Sequence, residues 1–289
     1  MSEFSGHLQK MAARAVPSES GADSCADRCA DRVQYDLILD QQAIPLTPFI
    51  GKTIRLEYVG DIHCCHCGRK SKKSFGQGYC YPCFSKLAQC DSCMMSPEKC
   101  HFHLGTCREP EWAKQVCFNE HIVYLANSSG VKVGITRATQ VPVRWLDQGA
   151  TQALPVARVA TRKQSGLIED CLRQDIADKT NWRAMLKGNA EAVDLEAERD
   201  RLFDLFSPQL NSIIANENPG DIELLYDTAA YAFEFPVEQF PAKITSFNLD
   251  KNPLVEGKLE GIKGQYLILD SGVINIRKFT SYSVSVSFS

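Results

Sequence analysis

The sequence predicts an α+β fold in three parts: a small mixed α/β module, a cysteine-rich region, and a mostly antiparallel, barrel-like β domain. Three observations predict it. Apolar runs at 122–126 and 131–136 flank Asn127-Ser128-Ser129-Gly130, the chemistry of a hairpin turn. Cysteines crowd between His63 and Cys117, mostly in CxxC pairs. Beyond residue 218, short alternating runs follow one another, with Lys263-Gly264 and Asp270-Ser271-Gly272 as turns.

Length and charge set the outer bounds. A chain of 289 residues buries a substantial core as one large domain or as two to three small ones. The apolar runs fall far short of a membrane span, and no positive start leads into an apolar core, so a cytoplasmic protein is expected. Its 13 cysteines, an odd number, then point to thiolate metal ligands in a reducing compartment. The formal net charge of −3 speaks against a nucleic-acid partner, but the charge is unevenly spread. Residues 51–189 hold 20 Lys and Arg against 12 Asp and Glu, leaving 12 against 23 elsewhere. Two four-thiolate zinc sites would remove about half of that local excess.

Taken in order, residues 1–32 read as a mobile tail, rich in Ser, Ala, Gly and Asp, with Cys25 and Cys29 as incidental thiols. Residues 33–62 read as strands at 33–39 and 53–59, which pair with the C-terminal sheet if the middle of the chain is an insertion. Residues 63–120 form the cysteine region. Cys64, Cys67, Cys80 and Cys83 make two CxxC pairs with twelve residues between them, a spacing that converges four thiolates on one structural zinc. Cys65 could replace Cys64. Cys90, Cys93, Cys100 and Cys107 suggest a second zinc, with His101, His103 and Cys117 as spare donors. Closed sites of this kind leave no open coordination position, so both ions are expected to be structural, and the metal supplies folding free energy that this Cys- and Gly-rich segment lacks. Arg69, Lys70, Lys72 and Lys73, followed by Phe75, Tyr79 and Tyr81, either track a phosphate backbone or form a solvated loop over the metal.

The module spans residues 121–189. After the hairpin come a short helix at 143–148, a strand at 154–160 and a helix at 163–179 whose Ile168, Cys171, Leu172 and Ile176 form an apolar stripe. Glu169 borders that stripe. The order of hairpin, helix with Arg, strand and helix with Glu resembles the GIY-YIG endonuclease superfamily. Ile122-Val123-Tyr124 stands in the place of Gly-Ile-Tyr and Lys132-Val133-Gly134 in the place of Tyr-Ile-Gly, with Ile122 and Lys132 departing from that pattern and Arg144 slightly farther from Gly134 than usual. The resemblance covers about a quarter of the chain. It implies a Mg²⁺ or Mn²⁺ ion on Glu169, a phosphate-contacting Arg144, Tyr124 assisting deprotonation of the attacking water, and charge from Lys132, Arg137 and Arg162. As a whole the chain also resembles a bacterial family with paired Cys-rich zinc sites and no established activity.

Residues 178–187 carry cations beside Trp182, and residues 190–217 read as a helical connector with an amphipathic helix at 191–206. Residues 218–289 form the C-terminal β domain, with strands at 231–235, 243–247, 255–262, 266–269, 273–276 and 283–288. Gly257 and Gly261 inside one strand suggest the sharp coiling of a small barrel. Two readings of function follow. One is a metal-dependent endonuclease acting on DNA or RNA, with a zinc region that grips substrate; the other is a zinc-containing module that binds nucleic acid or a protein without chemistry.

Overall fold

The computed structural model describes residues 2–18, 30–176 and 179–289. Cys25 and Cys29 lie outside them. Fourteen strands form two sheets among the described residues. The first is antiparallel throughout and combines β1 (Ser2–His7), β14 (Tyr282–Phe288), β5 (Thr53–Ile62), β11 (Leu254–Lys263), β12 (Tyr266–Leu269) and β13 (Gly272–Asn275), in that spatial order. The second runs β2 (Ala12–Val16), β3 (Asp31–Leu39), β10 (Tyr231–Glu234), β8 (Gln152–Val159), β6 (His121–Asn127) and β7 (Val131–Arg137), with β4 (Gln42–Pro45) on β3 and β9 (Ile222–Leu224) on β8. Only the β3–β10 pair is parallel. Seven α-helices complete the fold among the described residues: α1 (Tyr81–Lys86), α2 (Pro110–Val116), α3 (Val143–Asp147), α4 (Arg162–Leu172), α5 (Trp182–Met185), α6 (Leu195–Leu205) and α7 (Ser207–Ala215). No helix among the described residues is long and apolar enough to cross a membrane.

Alternation decides which faces are buried. In β3 the side chains of Val33, Tyr35, Leu37 and Leu39 are buried while the residues between them are more exposed, and in β14 Tyr282, Val284, Val286 and Phe288 do the same. These rows meet in one large core between the sheets, which also holds Tyr124, Trp145 and Leu146. The hairpin module therefore shares its core with the C-terminal strands. β5 lies between β14 and β11, so an early strand joins the C-terminal sheet, whereas β3 joins the hairpin sheet. The six-stranded sheet curls as a half-barrel and stays open, because its end strands β1 and β13 do not pair with each other. Gly261 sits where the β11–β12 register shifts, and a Cβ there would lie 2.6 Å from the Val237 backbone; close approach of another strand, more than coiling, requires glycine.

The N-terminal segment departs from expectation. Residues 2–16, read as part of a tail, contribute β1 and β2, and Leu8 and Met11 between them are fully buried. β1 pairs Ser2 with Phe288 through His7 with Ser283, so its order comes from a partner at the other end of the chain, which local pattern cannot reveal. Residues 243–247 make only a bridge, Ser246 to Val273, where a strand was expected. α4 starts at a capping box between Thr161 and Gln164 and ends at Leu172, since Arg173, Gln174 and Asp175 beyond it are exposed and offer nothing to bury. α6 begins after the Asp194 cap, and Ser207-Pro208, read as a stop, opens α7 because proline is tolerated in a first helical turn.

A second core lies on the other face of β6, β7 and β8, where Val123, Leu125, Val133 and Val156 pack on Ile168, Leu172, Leu202 and Phe203. Across the sheet from it, a polar junction fixes α3. Asp147 accepts from Lys10 Nζ at 2.6 Å and from Gln265 Nε2 at 2.9 Å, and Gln265 also bonds both the N–H and the carbonyl of Met11. Gly264, at φ +61°, lets the Asp147 carbonyl approach; a Cβ there would sit 3.0 Å from it.

Next to this junction, Lys263 is fully buried and donates to the Gly188 carbonyl at 2.9 Å and to Asn189 Oδ1 at 3.0 Å. Burial pushes its pKa down to about 8. The unfolded chain holds this proton up to the ordinary lysine value, so between the two values it binds more protons than the folded protein and stability rises with pH. Relative to Lys263→Met, the wild-type protein should gain up to about 3 kcal/mol between roughly pH 8 and pH 10.5. Urea titrations of both proteins across that range check this; parallel pH dependences would refute a depressed lysine.

Candidate functional site

The first cysteine group forms where β5 runs out. The chain turns at Cys64, with the Gly68 N–H donating to the Cys64 carbonyl at 2.8 Å and Gly68 at φ +69° closing the turn. It returns at Cys80, just ahead of α1, which carries Cys83 in its first turn. The sulfurs of Cys64, Cys67, Cys80 and Cys83 all lie within 4.8 Å of one another, and those of Cys67 and Cys80 are 3.8 Å apart. Zinc–thiolate bonds of about 2.3 Å in a tetrahedron give sulfur–sulfur edges of about 3.8 Å, so the donor set fits zinc. Burial pushes the Cys64 thiol up, but the backbone N–H groups of Cys80, Cys67 and His66 outweigh it and bring its pKa down to about 6. Cys65 is turned away, its N–H on the Gly78 carbonyl and its thiol against Tyr79 and Ser281, so Cys64 is the ligand of the two. On the loop between the pairs Arg69, Lys70, Lys72 and Lys73 are exposed, Lys70 meeting Asp61 at 2.5 Å, while Phe75 packs on Tyr81 and Phe84.

The second group closes around a cavity of about 20 Å³, enough for one water-sized particle, lined by Asp91, Cys93, Cys100, His101, Cys107 and Cys117. Burial raises the Cys93 pKa to about 11, reinforced by Asp91 and by the thiols of Cys100, Cys117 and Cys107. Asp91, Cys93 and His101 also bring donor atoms within 4.8 Å. Asp91 is already bonded by Arg108 Nε at 2.8 Å and by the Ser92 N–H at 2.6 Å, and the thiols of Cys93, Cys100, Cys107 and Cys117 line the same cavity without the close four-sulfur convergence of the first group. Cys90, expected here, does not line the cavity, whereas Cys117, expected as a spare, does. His103 is exposed.

Tyr124 lies in the centre of the hairpin sheet, fully buried, paired with Gly134 on β7. A Cβ on Gly134 would lie 2.7 Å from the Tyr124 hydroxyl, so the glycine makes the room that the phenol occupies. The ring meets Trp145 edge-on at 5.9 Å, and the hydroxyl donates to Gln148 Oε1 at 3.2 Å. Burial pushes the Tyr124 pKa up; Arg144 at its hydroxyl opposes the rise and Glu169 adds to it. The chain thus brings Tyr124, Arg144 and Glu169 into one electrostatic neighbourhood, although they come from a strand and two helices.

Arg162, at the start of α4, joins them. Burial lowers its pKa, Cys117 and Glu169 oppose that, and Arg144 reinforces it. Its Nη2 donates to the Met94 carbonyl at 2.8 Å and its Nε has no hydrogen-bond partner. His121 beside it is fully buried, with Nδ1 2.7 Å from the Asn119 carbonyl; a carbonyl only accepts, so the proton is on Nδ1. Burial brings its pKa down to about 4, partly opposed by that hydrogen bond and helped by Arg162 and Arg137, so His121 is neutral at pH 7. Lys132 is buried, and its Nζ donates to Thr180 Oγ1 at 2.6 Å. Sequence reasoning missed Gln148, which caps Tyr124; its position four residues after Arg144 on one short helix was the available signal.

No curated protein and no solved structure matches the chain, so the resemblance to GIY-YIG enzymes rests on its own residues. Residues 51–284 match the family described as protein of unknown function, DUF2797. That span takes in the four-cysteine cluster, the hairpin, both site helices and most of the C-terminal sheet, and the chain belongs to this family.

Proposed function

We propose that this protein is a zinc-stapled, metal-dependent phosphodiesterase of GIY-YIG type acting on DNA or RNA. The observation that carries the reading is the convergence of Tyr124, Arg144, Arg162 and Glu169 beside the hairpin. Hydrolysis of a phosphodiester forms one P–O bond to water and breaks another, and negative charge builds on the phosphoryl oxygens meanwhile. Arg144 and Arg162 would carry that charge. Glu169 would hold one Mg²⁺ or Mn²⁺, an ion that keeps several waters and takes phosphate oxygens as further ligands, and that supplies Lewis-acid chemistry when bound. Tyr124 was expected to take a proton from the water, but burial raises its pKa, so it acts as a protonated phenol that orients the nucleophile.

One specific observation favours the second reading, a binder without chemistry. Tyr124 is enclosed, with its hydroxyl occupied by Gln148. Under either reading zinc fills both cysteine sites, Cys64, Cys67, Cys80 and Cys83 in one and Cys93, Cys100, Cys107 and Cys117 in the other.

Purified protein with Mg²⁺ or Mn²⁺ should cleave labelled DNA or RNA, and Glu169→Ala should slow cleavage by about 100-fold or more. Oligomers that are retained but left intact establish the binder instead; neither retention nor cleavage refutes both readings. Metal analysis of the same preparations should give two zinc ions per chain, falling to one in Cys117→Ser and staying at two in Cys90→Ser. The reverse pattern would return Cys90 to the second site.

A further inference from the structure

His7 and His63 have no part in the site described above, and 56 positions of chain separate them, yet their side chains meet. His7 Nε2 lies 2.8 Å from His63 Nδ1, and the two rings stand edge-on at a centroid distance of 4.8 Å. Backbone contacts hold both in place. The His63 N–H donates to the Ser281 carbonyl at 3.1 Å, while Leu8, next to His7, donates to the Tyr282 carbonyl at 2.9 Å and accepts from the Ser281 N–H at 2.7 Å. One short stretch of chain at the start of β14 therefore sets the spacing of the two imidazoles.

A third group fixes the ring of His7. Asp40 Oδ1 lies 2.8 Å from His7 Nδ1, and a carboxylate only accepts, so Nδ1 carries the proton and Nε2 of the neutral ring presents its lone pair to His63. Asp40 is locked in turn: its Oδ2 accepts from the His7 N–H at 3.1 Å, and its own N–H donates to the His7 carbonyl at 2.9 Å. This reciprocal pairing holds Asp40 at φ +52°, a left-handed backbone that a residue other than glycine adopts at a cost. Gly6 completes the fit, because a Cβ there would fall 2.6 Å from Asp40 Oδ2. A carboxylate behind one imidazole nitrogen, with the other nitrogen aimed at a second donor, is the arrangement that orients metal-binding histidines. The His7 side chain is 31% exposed and Asp40 55%, so an ion can reach the pair from solvent. Asp61, two residues before His63, is engaged by Lys70 Nζ at 2.5 Å, which leaves the remaining ligands to water.

We propose that His7 and His63, with Asp40 behind His7, form a solvent-open site for a divalent transition-metal ion, apart from both cysteine groups. Bonds of about 2.0–2.1 Å to two nitrogens at a right angle span about 2.8–3.0 Å, whereas a tetrahedron needs about 3.4 Å. The spacing of the rings thus suits an octahedral or tetragonal ion such as Ni²⁺ or Cu²⁺, both of which imidazole binds well. Between the neutral rings the gap holds one proton, on His63 Nδ1; the ion takes its place, and His63 then carries that proton on Nε2. Bound in this way the ion ties β1 to the root of the four-cysteine knuckle and stabilises the folded chain. The site is independent of the phosphodiesterase reading and holds whether or not the protein cleaves nucleic acid.

The test is equilibrium dialysis of untagged, zinc-loaded protein against Ni²⁺, with nickel and zinc counted in the same samples and melting temperatures measured alongside, for wild type, His7→Gln, His63→Gln and Asp40→Asn. Wild type should take up one nickel ion per chain with its zinc retained, and nickel should raise its melting temperature. Both histidine variants should lose the nickel and the shift, and Asp40→Asn should bind about 10- to 100-fold more weakly. Zinc content and the melting temperature without nickel report whether each variant is folded; should His63→Gln, next to Cys64, lose zinc, His7→Gln decides alone. No uptake by wild type would show that the two rings share only a hydrogen bond. Uptake matched by zinc lost would put the nickel at the cysteines, and unchanged affinity in His7→Gln would put it elsewhere. Any of these three results overturns the site.

Discussion

Asp147 is the small polar anchor on which the arrangement of this protein depends. Its carboxylate is nearly enclosed, and its two oxygens are divided between Lys10 and Gln265. Lys10 comes from the link between the first two strands, Gln265 from the turn that joins β11 to β12, and Asp147 itself from α3. A buried carboxylate without such partners is strongly unfavourable, so the three segments are ordered together or not at all. The direction of α3, and with it the position of Arg144 one turn earlier, follows from this junction more than from any helix propensity in five residues.

The junction also explains why the protein resists division into modules. The hairpin sheet, the N-terminal strands and the C-terminal half-barrel contribute to one apolar core, with Trp145 from α3 near its middle. The cysteine knuckles then sit outside that core and reach it through hydrogen bonds at its edge. Their loops bury little apolar surface, and metal coordination is the source of order that suits such a segment.

How much of this could be read in the sequence depends on the range of the interaction. Alternation placed β3, β5 and most C-terminal strands, and Asn127 to Gly130 marked the hairpin turn, because these are local patterns. The spacing of Cys64, Cys67, Cys80 and Cys83 identified the first cluster for the same reason. β1 was invisible because Ser2–His7 is ordered by β14, and Leu8 and Met11 gave too few apolar residues to show a period. A CxxC spacing implies convergence, yet the short turns around Asp91 set Cys93 on the lining of the second cavity and Cys90 off it, a difference that the spacing alone does not carry. Gln148 carried only the signal of one helical turn, four residues after Arg144, and Arg277 carried none, since tertiary packing alone brings it to Gln77.

The charge pattern of the cleft follows from what holds each cation. An arginine that serves only stability is commonly neutralised by a carboxylate, as Arg201 is here by Glu198 and Asp175. Arg162 and Arg277 instead donate to a carbonyl and an amide oxygen, with the carboxylates of Glu169 and Asp147 acting on them through space. Arg144 acts on both as a like charge, which adds to the cost of burying them, while Glu169 offsets part of it for Arg162 and Asp147 for Arg277. In a chain with a net charge of −3, Arg162 thus has neutral oxygens as its hydrogen-bond partners, which suits the phosphate-contacting role proposed for it.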